Sequence, residues 1–174
     1  MLIRNSLQAP SKIRFTSAET DMKASDLVSD ICSKTRNKST CLQVLSHKHG
    51  ANLLEIAHTL TENAQTSAVL AYDTVQVLVK LTKNSSLKER YRSCLGNYVR
   101  AIDGVAEWKQ YLTQENYQNL PSIADAILKE TESCDNKFEQ PPSEPSQLKR
   151  GTQFFEDICS ILMVVSNRLI GGIV

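Results

Sequence analysis

CSKTRNKSTC, residues 32–41, sets two cysteines on either side of a stretch without a single apolar side chain. Leu27, Val28 and Ile31 lead into Cys32, and Leu42, Val44 and Leu45 follow Cys41. The segment can therefore be a polar loop clamped by a disulfide between two short helices. In the chain-entropy account, closing a loop of about 10 residues stabilises the fold by roughly 2.7 kcal/mol. A helical hairpin this small does not fold alone, so it must lie on a larger body.

That body begins after Gly50. Leu53, Ala57, Leu60, Ala64, Ala68, Ala71, Val75 and Leu78 recur at spacings of three and four, which predicts one helix of about 30 residues, or about 45 Å. Its alanines favour close helix approach. Lys83-Asn84-Ser85-Ser86 interrupts the pattern and can cap a second helix. There Tyr91, Leu95, Tyr98, Ile102, Val105 and Leu112 share one face, with Cys94 expected at its margin and Trp108 and Tyr111 flanking it. A third helix, over about 117–134, carries Leu120, Ile123, Ala124, Ile127 and Leu128, with Pro121 acceptable in its first turn. The prolines at 141, 142 and 145 end it. A last helix runs through Leu148, Gly151, Phe155, Ile158, Cys159, Leu162, Val165 and Leu169. No segment alternates with period two for long enough to suggest a sheet. The reading is all-α: an up-and-down four-helix bundle over 50–174, an N-terminal hairpin over 23–49 and a disordered or atypical tail over 1–22, with hairpin and bundle forming one domain.

At 174 residues the chain suits one domain with a full core. Twenty Lys and Arg against 19 Asp and Glu leave almost no net charge, so neither nucleic acid nor an anionic membrane is indicated as a partner. The apolar stretch 158–174 is too short to span a bilayer and is interrupted by Ser166, Asn167 and Arg168. The opening MLIRNSLQAPSKIRF has no apolar run of the length a secretory leader needs, and it carries no acid before Glu19. Its start is expected to be incomplete or atypical. Asn37-Lys38-Ser39 and Asn84-Ser85-Ser86 are glycosylation sequons in predicted loops, which makes Asn37 and Asn84 candidate acceptors.

The residues give catalysis no visible home. His47, His49 and His58 are the only histidines, and His47-Lys48-His49 lies in a polar turn with no Cys, Asp or Glu close in sequence to complete a metal shell. Zinc-type C-x-x-C pairs, a glycine-rich phosphate loop, a G-x-S-x-G elbow and H-E-x-x-H are all missing. No cofactor and no metal are expected. Cys94 and Cys134 fall in separate helical patterns, where a bond would staple two long helices and contribute roughly 4 kcal/mol. The alternative is five reduced, buried thiols. Cys159 lies on a core stripe and lacks the exposure a reactive thiol needs.

Taken with this architecture, Ile31-Cys32-Ser33-Lys34-Thr35-Arg36-Asn37 with Cys41-Leu42, Tyr91 to Cys94, Asn97-Tyr98, Ala101-Ile102-Asp103, Cys134-Asp135-Asn136-Lys137-Phe138-Glu139, Glu156-Asp157-Ile158-Cys159 and Val165-Ser166-Asn167 resemble, in order and spacing, the plant invertase and pectin methylesterase inhibitor family. The resemblance spans 27–170. It implies bonds Cys32 to Cys41 and Cys94 to Cys134, with Cys159 unpaired. It also implies a non-enzymatic inhibitor of the apoplast that is a monomer when free and forms a one-to-one complex with a cell-wall enzyme. Invertase inhibitors of the family present Pro-Lys-Phe ahead of the fourth family cysteine, and the comparable place here, Glu115-Asn116-Tyr117-Gln118, lacks it. Lys137-Phe138 lies after Cys134 and is not equivalent. The Tyr-x-x-Ala-Ile-Asp and Phe-Glu-x-Pro-Pro runs look like the pectin methylesterase inhibitor branch, so the expected action is to cover the pectin cleft of that enzyme. Inhibition of acid invertase is the alternative, and a helical carrier or signalling bundle a more remote one, against which the close-packing alanines argue.

The contact face follows from helix geometry. Gly96, Arg100, Asp103 and Glu107 recur at four, three and four residues and form one stripe, expected about 180° from the core. With Asn97 beside them, and with Ser133 and Asn136 brought near by a Cys94 to Cys134 staple, they are the expected partner-binding residues.

Overall fold

The computed structural model describes residues 27–48, 50–144 and 148–171. The tail over 1–22, the start of the hairpin at 23–26, His49 and Pro145 lie outside the described residues. Everything regular among the described residues is helical. A helix over residues 27–33 (α1) and Lys38–Val44 (α2) make the hairpin. Leu53–Leu81 (α3), Ser85–Thr113 (α4), Leu120–Asp135 (α5) and Leu148–Gly171 (α6) make the bundle. In the bundle α3 packs on α4, α4 on α5, α5 on α6, and α6 back on α3, while the hairpin leans on α6.

Local chemistry fixes the helix ends. Asn52 and Glu55 start α3 with a reciprocal pair: Asn52 Oδ1 accepts from Glu55 N at 3.0 Å and Glu55 Oε2 accepts from Asn52 N at 2.8 Å. Gly50, at φ +91°, turns the chain into this cap in a conformation that favours glycine. The end of α4 is closed by the amides of Glu115 and Asn116, which donate to Leu112 O and Tyr111 O, with Glu115 itself left-handed at φ +55°. The third bundle helix consequently starts later than the sequence suggests. Tyr117–Asn119 form a 3₁₀ turn, and α5 begins at Leu120 with Pro121 in its first turn.

The core is set by α3 and α4. On α3, Ile56, Ala57, Leu60, Ala64, Ala68, Ala71 and Val75 are buried, and Leu53 and Leu78 only partly so. On α4 the buried face is rotated from the expected one. Leu87, Tyr91, Cys94, Tyr98, Ala101, Val105, Trp108 and Leu112 point inward, whereas Leu95 and Ile102 are half-buried. Cys94 thus sits at the centre of that face, because its bond to Cys134 pulls α5 against it. Trp108 is fully buried and donates from Nε1 to Ser166 Oγ at 3.1 Å. The Tyr98 and Thr152 hydroxyls are bonded at 2.8 Å, so the polar groups of both aromatics are satisfied inside the core.

Two disulfides hold the frame, Cys32 to Cys41 and Cys94 to Cys134. Cys159 is a buried free thiol whose proton burial makes hard to remove. After α5 the chain makes a 3₁₀ turn at Asn136–Phe138, where the Phe138 ring contacts that of Tyr91, and then the proline segment. Arg90 of α4 grips that segment: its guanidinium donates to the carbonyls of Gln140, Pro141 and Pro142 at 2.6, 3.0 and 2.9 Å. Tyr91 Oη donates to Glu144 at 2.5 Å.

Candidate partner-binding surface

The α4 stripe is not a plain solvated face. Arg100, Asp103 and Glu107 form one wall of an open cleft of about 310 Å³, whose other wall is Ser122, Ile123, Ala126, Ile127 and Glu130 of α5. Gly104 is what lets the two walls approach. A Cβ placed there would stand 2.7 Å from Ile127 Cγ1, closer than van der Waals contact permits.

A polar network at one end of the cleft orients Arg100. Its Nε and Nη2 donate to the two oxygens of Glu130, each at 2.8 Å, in the fork geometry that suits guanidinium and carboxylate. Glu130 Oε2 also accepts from Asn97 Nδ2 at 2.7 Å. Lys137 Nζ in turn donates to Asn97 Oδ1 at 3.1 Å and to Ser133 O and Oγ at 2.7 and 3.2 Å. The hydrogen bonds from Arg100 hold the Glu130 carboxyl below its ordinary range, against the burial that raises it. Burial, with the Arg100 charge, holds the Lys137 ammonium below its own.

The expected contact residues therefore divide. Asp103 and Glu107 are exposed on the cleft wall, as is Arg100, although two of its donors are committed to Glu130. Gly96 is half-buried and lies under Arg100, whose Nη1 would be 3.5 Å from an added Cβ. Ser133 and exposed Asn136 line a second shallow depression with Lys129, Glu132 and Lys137. Asn97 is a correction: it is 2% exposed, because its amide bridges Glu130 and Lys137 beneath the surface, and it offers a partner nothing directly. Sequence reasoning missed Glu130, Lys137 and Gly104. Their roles depend on the register of α5 against α4, which helical periodicity in one segment does not contain.

The hairpin is fastened to α6 by a second polar cluster. Arg36 lies 3.0 Å from Glu156 Oε2, 3.5 Å from Asp157 Oδ1 and 3.9 Å from Glu132, and its backbone N–H donates to Ser160 Oγ at 3.0 Å. Asn37 Nδ2 and Thr40 Oγ1 both donate to Asp157 Oδ2 at 2.8 Å. Asp30 pairs with Arg168 further along α6. The Glu156 carboxyl is pushed above the ordinary range chiefly by burial, a shift that Arg36 reduces and the charges of Asp135 and Glu132 increase. Both sequon asparagines are exposed, but Asn37 is tied into this contact through its side-chain nitrogen, whereas Asn84 caps α4 away from it.

Of the remaining groups that carry chemistry, His47 and His58 are exposed. Among the described residues, no three His, Cys, Asp or Glu side chains are placed to hold a metal ion. No described helix is long and apolar enough to cross a membrane.

These features define a disulfide-stapled helical bundle with a docked helical hairpin and a polar interhelical cleft. The chain belongs to the family described as plant invertase/pectin methylesterase inhibitor, whose profile matches residues 26–165. It is 36% identical over 149 residues to a pectinesterase inhibitor of Actinidia deliciosa, covering 84% of this chain and 80% of that one. To pectinesterase inhibitor 2 of Arabidopsis thaliana it is 30% identical over 142 residues, covering 80% and 82%. Among solved structures it superimposes on a mutant form of a pectin methylesterase inhibitor from Arabidopsis with a TM-score of 0.76 at 28% identity, covering 80% of this chain and 95% of the other. A pectin methylesterase inhibitor from Arabidopsis thaliana gives 0.66 at 27% identity, covering 83% and 97%.

Proposed function

We propose that this protein is a secreted inhibitor of a plant pectin methylesterase, has no catalytic activity of its own, and binds the enzyme one to one so as to cover its pectin cleft. The observation that carries the reading is the likeness, over most of the chain, to relatives named as pectinesterase inhibitors. The α4–α5 cleft supplies the surface. Asp103 and Glu107 stand exposed on a helix that the Cys94–Cys134 bond fixes against its neighbour, and Arg100 is already held by Glu130. A surface ordered beforehand loses little conformational entropy on docking. Hairpin and bundle act as one inhibitor domain.

The test is methanol release from methylated pectin by a plant pectin methylesterase, with acid invertase assayed in parallel. Only pectin demethylation should be inhibited, saturating at equal molar amounts, because the Pro-Lys-Phe sequence is missing around Glu115-Asn116-Tyr117-Gln118. Inhibition of invertase with pectin demethylation untouched would overturn the reading. Asp103→Lys is expected to weaken the complex about tenfold or more, roughly 1.4 kcal/mol, with thermal stability nearly unchanged, since an exposed charge contributes little to folding. Arg100→Glu is a poorer probe, because it would set a second carboxylate against Glu130 and disturb the fold.

A further inference from the structure

The sequons at 37–39 and 84–86 look alike in sequence, but the fold treats their acceptor nitrogens differently. Both asparagines cap a helix through Oδ1: Asn37 accepts from Thr40 N at 3.2 Å and Asn84 from Leu87 N at 3.0 Å. Because oxygen and nitrogen share one planar amide, each cap fixes where Nδ2 points. Asn37 Nδ2 points into the contact between hairpin and α6, donating to an Asp157 carboxylate whose side chain is 12% exposed. That carboxylate is also taken by Thr40 and Arg36. Asn84 lies in the three-residue link between α3 and α4, at one end of the bundle, with Lys83, Ser85 and Ser86 exposed around it.

We propose that Asn84, and not Asn37, is the N-glycan acceptor of the folded protein. The donor class is a lipid-diphosphate-linked oligosaccharide, delivered by the transferase of a secretory compartment. The Asn84 Nδ2 to sugar C1 bond forms and the bond from C1 to the diphosphate oxygen breaks. The lipid diphosphate leaves with the electron pair, and Nδ2 gives one of its two protons to the transferase's base. Oδ1 takes no part, so the cap on Leu87 survives the modification. At about 1.5 Å rise per residue, the attachment point lies roughly 18 Å along α4 from Gly96, off the stripe described above. Asn37 is exposed as a residue, but one Nδ2 hydrogen already goes to Asp157, and a sugar on the other would crowd Thr40 and the α6 contact, so a glycan there works against the docked hairpin.

The test expresses the full chain in a secreting eukaryotic host behind that host's own leader, which separates this question from how the protein is exported in the plant. Peptide N-glycosidase in heavy-oxygen water then marks each formerly glycosylated asparagine as a labelled aspartate. The expected result is one labelled site, Asn84, with both disulfides intact. Asn84→Gln and Ser86→Ala should each abolish the mass shift, and Ser86→Ala does so with the helix cap retained. Ser39→Ala should change nothing. Label at Asn37 in folded protein, or secreted protein unlabelled at Asn84, would overturn the proposal.

Discussion

Replacing Arg36 with alanine should destabilise the protein more at neutral than at acid pH. Arg36 faces Glu156, whose side chain is 5% exposed, and Asp157, at 12%, while being itself 44% exposed. Removing one partner of a fully buried ion pair costs about 3–5 kcal/mol, but solvent reaches Arg36, and exposed pairs contribute only about 0–1 kcal/mol. An intermediate loss of about 1–2 kcal/mol follows at neutral pH, or roughly 2–8 °C in Tm for a chain of this size. The pH dependence comes from Glu156. Its carboxyl is raised in the folded state, so its contribution to stability is fully present below the unfolded pKa and is lost as pH rises through the folded one. Arg36 limits that loss by favouring the ionised form, and without it the folded pKa climbs further. Asp157 keeps its bonds to Asn37 and Thr40 in the variant. Thermal unfolding of wild type and Arg36→Ala at about pH 4, below the ordinary glutamate value of about 4.3, and at about pH 7.5, well above it, should show the smaller Tm difference at acid pH. An equal difference at both, or a larger one at acid pH, would refute the assignment of Glu156 as the group Arg36 neutralises.

The disulfides and the α4–α5 approach can be tested in the same way. Non-reducing peptide mapping should recover Cys32 with Cys41 and Cys94 with Cys134, and Cys159 should be alkylated only after denaturation, since it is wholly buried; opening the second bond by Cys94→Ser with Cys134→Ser should cost about 2–4 kcal/mol in denaturant unfolding. Gly104→Ala gains about 1 kcal/mol of helix propensity but drives a Cβ into Ile127, at an overpacking cost of about 1–3 kcal/mol; the net destabilisation should shrink in an Ile127→Ala background, and strict additivity would show that α5 does not approach at that point.

Most of the frame is legible in the sequence because each helix carries its own period. The α3 stripe is read correctly from Ala57 to Val75, since a helix packed along one side needs only its own residues to announce that side. On α4 the same method misplaces the face, drawn toward large Leu95 and Ile102, while small Ala101 and the disulfide at Cys94 mark the true centre. Gly151, counted with the α6 stripe, is exposed, and buried Thr152 takes its place against Tyr98. Polar partnerships between helices are the least legible part. Nothing near Asn97 in sequence signals that it will be buried by Glu130, 33 residues on, or that Arg36 will meet Asp157 across an interval of more than a hundred. Such pairs are set by relative helix register, which is a property of the assembled core.

The grip of Arg90 on three successive carbonyls alters what evolution can do with residues 139–143. A connection shaped by its own side chains constrains each of them, whereas this one is held largely by the main-chain oxygens of Gln140, Pro141 and Pro142. Selection for the path of this crossing then falls largely on one cation in another helix, with the Tyr91–Glu144 hydrogen bond closing its far end. The exposed side chains of Glu139 and Gln140 are released to drift, or to acquire new contacts, without the bundle having to repack.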